Sequence, residues 1–168
     1  MTIFEISTII IATATALILI VQASLALKSI KADHERRKKQ ATFDYVQKVR
    51  PAWIEAKHIL EEKWGKDPLT SKELEEIDKN FQLLVRVREL LGRLEHLSVG
   101  INSGVFDKDL IFRMSGSQII SIYKRLHTYI DRVQKRNPTA YIEFQEVVKV
   151  FEERKRIKPE KNGNIINS

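Results

Sequence analysis

From Ile6 to Leu27 the chain carries no Asp, Glu, Lys, Arg or His, only a run rich in Ile, Leu, Ala, Val and Thr. At about 1.5 Å of rise per residue such a helix reaches roughly 33 Å, enough to cross a hydrocarbon core of about 30 Å. The stretch therefore predicts a transmembrane helix. A secretory signal peptide is the competing reading, but it requires a basic leading segment, and Met1 to Glu5 holds an acid and no base.

Lys28, Lys31, Arg36, Arg37, Lys38 and Lys39 follow the segment, diluted only by Asp33 and Glu35, and no Lys or Arg precedes it. The positive-inside bias then keeps the C-terminal side in the cytoplasm and the N-terminus outside. The expected layout is a short extracytoplasmic end over 1–5, a span over 6–27, a cytosolic domain over 28–157 and a disordered tail over 158–168. Such a protein would be single-pass, with its domain in the cytoplasm. The formal charge of +7 and the pI near 9.6 invite a nucleic-acid reading. Much of the excess lies beside the span, however, where anionic headgroups would meet it.

The polar positions of the span are ordered. Glu5, Thr8, Ala12, Thr15, Leu19, Gln22 and Ala26 alternate spacings of three and four, so they form one stripe that is small or polar everywhere but at Leu19. Amide and hydroxyl groups facing lipid need partners, and the stripe predicts self-association as a homo-oligomer. Two outcomes share that expectation: a dry helix seam, or a ring whose polar face meets water. A simple anchor, with its Thr and Ser bonded to their own backbone, is the third.

No Gly or Pro occurs before Pro51, so the first helix can run on to about Arg50, with Phe43, Val46 and Val49 as an apolar edge. After a kink at Pro51, Trp53, Ile54, Ile59, Leu60 and Trp64 mark a second stretch ending at Gly65. Thr70 and Glu73 form a capping box for a long helix reaching about Val99, with Leu74, Ile77, Phe81, Leu84, Leu91 and Leu94 on one face. Leu83, Val87, Leu90 and Leu97 widen that face, and Gly100 and Gly104 bracket a turn. Asp107 caps a helix over Lys108 to about Arg136, inside which Ser115 and Gly116 either admit a neighbouring helix or mark a kink. Asn137 and Pro138 read as an N-cap and first helical residue of a last helix, with Tyr141, Phe144, Val148 and Phe151 as its apolar stripe. No alternating run is long enough for a sheet. The predicted class is all-α: one N-terminal transmembrane helix continuing into a cytosolic bundle of four or five helices.

Enzyme signatures are absent. There is no P-loop, no paired-Gly nucleotide fingerprint, no nucleophile elbow, and no metal spacing among His34, His58, His96 and His127. Without cysteine the chain forms no disulfide, thiol nucleophile or cysteine-bound zinc site. The reading assigns no catalytic residue, metal, cofactor or small-molecule substrate. The densest polar cluster is Arg86, Arg88, Arg93, Glu95 and His96. Arg93 and His96 share a helix face and have the chemistry to hold a phosphate or an RNA backbone; alternatively, Glu95 pairs with an arginine of a neighbouring helix and His96 is a core histidine. Arg125 and His127, two apart, diverge around their helix and form a weaker candidate.

Three blocks carry a resemblance: LLGRLEHLSVGINSGVFDKDLIFRMSGSQIISIYKRLHTYI from Leu90, NPTAYIEFQEV from Asn137, and ERRKKQATFDYVQKVRPAW from Glu35 after a single span. Together they resemble a bacterial family of membrane-anchored helical proteins without assigned function, and the small one-span accessory proteins of type VI-B CRISPR systems, which have a divergent HEPN fold. The resemblance implies a ring-shaped membrane pore that depolarises the membrane and enhances phage defence by an RNA-guided RNase, with that effector or its RNA products as partners. HEPN ribonucleases carry Arg, four to six residues, then His. No histidine here has an Arg at that distance, so the resemblance implies a structural rather than catalytic bundle. A tethered HEPN-like protein that binds or cleaves RNA and a non-catalytic membrane scaffold are the alternatives.

Overall fold

The computed structural model describes residues 2–157, with the side chains of 5–12 outside the description. Among the described residues there are five helices and no strand: α1 Ile3–Trp64, α2 Ser71–Lys79, α3 Phe81–Asn102, α4 Lys108–Gln134 and α5 Ile142–Ile157. The chain divides into two compact units, Met1–Gln40 and Ala41–Ser168.

The first unit is helical from Ile3 onward. Leu17, Ile18, Leu19, Ile20, Val21, Leu25 and Leu27 are each more than half exposed, so the apolar surface is uncovered on every side of the helix. An aqueous protein does not leave such a cylinder bare. Ser24 donates to the carbonyl of Ile20 at 2.9 Å, a hydroxyl bonded within its own helix. Of the polar stripe, Thr15, Leu19, Gln22 and Ala26 are exposed. Glu5, Thr8 and Ala12 lie outside the described side chains, as the predicted tail over 158–168 lies outside the described residues. Arg36 and Arg37 both close on Asp33, at 3.0 and 2.7 Å, so one carboxylate faces two guanidiniums and the stretch from Lys28 to Lys39 keeps a net positive charge.

In the second unit the helix does not stop at Pro51. The proline lacks the N–H that would bond the carbonyl four residues back, at a cost of about 3 kcal/mol. The helix nevertheless passes through it to Trp64. Val46, Val49, Trp53, Ala56 and Leu60 are all buried and alternate spacings of three and four across the proline, so burial on one continuous face holds the helix together. Phe43, predicted on that edge, and Ile54 are instead 44% and 37% exposed.

The predicted helix from Ser71 to Val99 is two helices. The capping box is present, with the Glu73 carboxylate accepting from the Thr70 N–H at 2.6 Å and the Thr70 hydroxyl accepting from the Glu73 N–H. The helix then ends at Asn80, whose backbone is extended and whose side chain accepts from the Leu83 N–H at 3.2 Å, capping α3. The break turns Phe81 outward to 76% exposure while Ile77 and Leu83 stay buried.

Helix α3 runs past Gly100 to Asn102, and the turn is made by Gly104 at φ 78°. At Gly100 an added Cβ would come within 2.3 Å of the Phe106 ring, which packs on Tyr45 of α1 at 4.8 Å between centroids. Asp107 caps α4 through the Leu110 N–H, and its own N–H donates to the buried Thr42 hydroxyl of α1 at 2.8 Å. Gly116 makes room for the Phe112 ring of its own helix, not for a neighbouring backbone. That ring then meets Phe151 of α5 edge-on at 5.1 Å.

Asn137 and Pro138 open a turn rather than the last helix. The Ala140 N–H returns to the Asn137 carbonyl at 3.0 Å, Tyr141 takes φ 61°, and α5 starts at Ile142. Phe144, Val147, Val148 and Phe151 of α5 then pack against α3 and α4.

Candidate functional site

The α3 cluster is taken apart by its neighbours. Glu95, half-buried, points at the first turn of α5: its Oε2 accepts from the Phe144 N–H at 2.8 Å and its Oε1 from the Glu143 N–H at 3.4 Å. These amides are orphan donors of the helix start, and the residue in the N-cap place, Tyr141, lacks the short side-chain oxygen of a capping residue. Glu95 thus caps a helix 48 residues away in sequence instead of pairing with an arginine. Burial pushes its carboxyl above the usual range, and the two amide bonds pull it back only in part. A carboxyl raised on folding contributes stability that is complete below its unfolded pKa and is lost as pH rises through the folded pKa. Glu95→Gln, which keeps an acceptor without the charge, is therefore expected to gain stability relative to wild type as pH rises from about 4 to 7. Urea titrations at each pH measure this, and parallel curves for the two proteins would contradict it.

Arg86, Arg93 and His96 lie exposed on neighbouring parts of the α3 surface. Arg86 reaches Glu55 of α1 at 3.3 Å, a surface pair worth little by itself. The Arg93 charge acts on Tyr45, opposing the burial that pushes the phenol upward. His96 is exposed rather than a core histidine. Arg88 points elsewhere: its Nε donates to the Tyr129 hydroxyl of α4 at 3.4 Å. The four candidates do not converge.

The Arg125 and His127 pair also separates. Arg125 is buried at 5% exposure and donates from Nη2 to the Leu60 carbonyl of α1 at 2.8 Å, while its own carbonyl accepts from the Leu69 N–H. His127 Nδ1 lies 2.8 Å from the Lys124 carbonyl of its own helix. Burial pulls the Arg125 guanidinium down, and the charges of Glu61, Glu73 and Asp67 oppose that pull. Its place is structural, tying α4 to the end of α1.

Arg88 leads instead to a depression of about 400 Å³ lined by Asp78, Leu84, Arg88, Tyr129, Arg132, Val133, Arg136 and Asn137. Arg132 forms a two-point pair with Asp78 at 2.8 and 3.0 Å and lies over the Tyr129 ring at 5.5 Å. Sequence reading missed this group because its members come from α2, α3, α4 and the following turn. The available signal was the spacing of Tyr129, Arg132 and Arg136, which share one face of α4 and its extension.

A family profile described as Domain of unknown function (DUF4760) matches residues 8–151. The chain belongs to this family. The DUF4760 match takes in most of the uncharged segment together with α2, α3, α4 and most of α5, so the apolar helix and the helical unit fall within one family domain. No curated protein and no solved structure matches the chain.

Proposed function

We propose that this DUF4760 protein is a non-enzymatic membrane effector: a single-pass inner-membrane protein whose helical domain faces the cytoplasm and whose membrane helices gather into an oligomer around a water path. The observation that carries the reading is the first unit's apolar surface. Among the described residues one helix is long and apolar enough to cross a membrane, with a window of mean hydropathy 1.6 of which none is buried. The family match, which begins at residue 8, supports an apolar helix that stays with the domain rather than being removed.

Self-association draws on the stripe through Thr15, Leu19, Gln22 and Ala26. A ring hydrates the Gln22 amide where lipid would not, and Thr15 and Leu19 set the constriction with it. The antiviral setting, in which the pore depolarises the membrane beside an RNA-guided RNase, rests on the resemblance of the Glu35, Leu90 and Asn137 blocks and belongs to the same proposal. Tethered RNA binding is the second reading, favoured by the exposure of Arg93 and His96 on α3.

Orientation and assembly are tested separately. A reporter fused after Ser168 is expected to be active only in a form that works in the cytoplasm, because six cations against two acids follow the span from Lys28 to Lys39. A fusion active in the periplasm overturns the layout. In mild detergent the full chain is expected to run as an oligomer, and a monomer there reduces the proposal to an anchor.

A further inference from the structure

The depression at the α3–α4 junction carries more positive charge than its own neighbours neutralise. Three guanidiniums, from Arg88, Arg132 and Arg136, line it against one carboxylate, Asp78, which Arg132 already occupies at two points. Arg88 spends one N–H on a long bond to a neutral phenol, and the Arg136 guanidinium has no partner among the described residues. Structural arginines are ordinarily paired against carboxylates, whereas here Arg88 feels Asp78 only at a distance and lines one depression together with Arg136, an excess of cations over acids that fits an external anion. The remaining lining adds what a phosphate ester needs: the Asn137 amide and the Tyr129 hydroxyl as polar groups, and Leu84, Val133 and the Tyr129 ring as apolar wall. A volume of about 400 Å³ falls in the range of small-ligand sites, larger than a bare ion requires.

We infer that this depression binds the dianionic phosphate of a nucleotide-sized ligand, with Arg88 and Arg136 on the phosphate, Arg132 held in place by Asp78, and the ester's organic body against Leu84 and Val133. The site lies entirely within the helical unit, so the inference stands whether or not the membrane helices form a pore. A ligand seated there bridges the start of α3 to the end of α4 and is placed to regulate whatever the domain does.

The test is calorimetric titration of the full chain in uncharged detergent with adenosine 5′-monophosphate, inorganic phosphate, adenosine and a short single-stranded oligoribonucleotide. The monophosphate is expected to bind saturably, with affinity falling as salt rises, and adenosine at least tenfold more weakly. Arg136→Gln and Arg88→Gln are each expected to weaken binding about tenfold or more, while Arg86→Gln, on the other side of α3, leaves it unchanged. Arg136 is exposed and unpaired, so its variant keeps the fold, and thermal melts verify this for both variants. Inorganic phosphate binding as tightly as the nucleotide, with the same loss in both variants, supports the phosphate site and identifies its source as the free ion. Absence of saturable binding at millimolar ligand, equal losses in Arg86→Gln, or binding of the oligoribonucleotide alone overturns the inference.

Discussion

Phe144→Ala is expected to destabilise the helical unit by about 3–5 kcal/mol, the range for removing a fully buried aromatic ring that its surroundings cannot close over. Phe144 has no exposed surface, sits on the helix that packs against both α3 and α4, and meets Tyr123 edge-on at 5.7 Å. Its backbone N–H is also the shorter of the two bonds to Glu95, so a shifted α5 start weakens the cap with the core. For a domain of this size the loss corresponds to a fall in melting temperature on the order of 10–20 °C. Phe81→Ala is the matched control: that ring is 76% exposed, and its removal is expected to stay within about 0.5 kcal/mol. Urea or thermal melts of both variants decide the matter. A loss below about 1 kcal/mol at Phe144 would mean that α5 does not close the core as described.

Replacing Thr15 and Gln22 together by Leu is expected to abolish membrane depolarisation while the oligomer keeps its size. Both residues are exposed on one stripe of the apolar helix, and if that stripe lines a wet path their loss leaves an all-apolar constriction that dewets. The same substitution separates the other arrangements. In a dry seam the larger side chains crowd the helix contact and the oligomer itself weakens. In a simple anchor neither property changes. Membrane potential in cells challenged with virus, and oligomer size in detergent, are measured on the one double mutant. Unchanged depolarisation at unchanged size sinks the pore.

Much of the fold was legible because its signals are local. The uncharged run from Ile6 to Leu27 needs only composition to be read as a helix fit for a membrane. The Thr70 and Glu73 box and the Asp107 cap each close within three residues, and the structure contains both. The apolar spacings of α2, α3 and α5 picked out most of what those helices bury, from Leu74 to Leu97 and from Phe144 to Phe151, since a helix of fixed pitch shows its buried face in sequence.

The candidate site was not legible in that way. Arg86, Arg88, Arg93 and His96 are near one another along α3, but nearness along a helix spans more than half its circumference, and their partners belong to other elements. Arg88 joins Arg132 and Arg136 only because the fold brings the first turns of α3 to the end of α4. The spacing of Tyr129, Arg132 and Arg136 was a weak hint, of a kind that most solvated helix faces also present.

By itself, then, the sequence determined the all-α class, the apolar helix, and the helix starts whose donors and acceptors sit within one turn of each other. Tertiary structure decided the rest. Whether Pro51 ends a helix depended on burial of Val49 and Trp53 on either side; whether Pro138 begins one depended on Glu95 supplying the cap from α3. Gly116 admits Phe112 because that ring has Phe151 to meet. Each choice sets a local cost of at most a few kcal/mol against contacts between residues far apart in the chain, and those contacts exist only once the helices have docked.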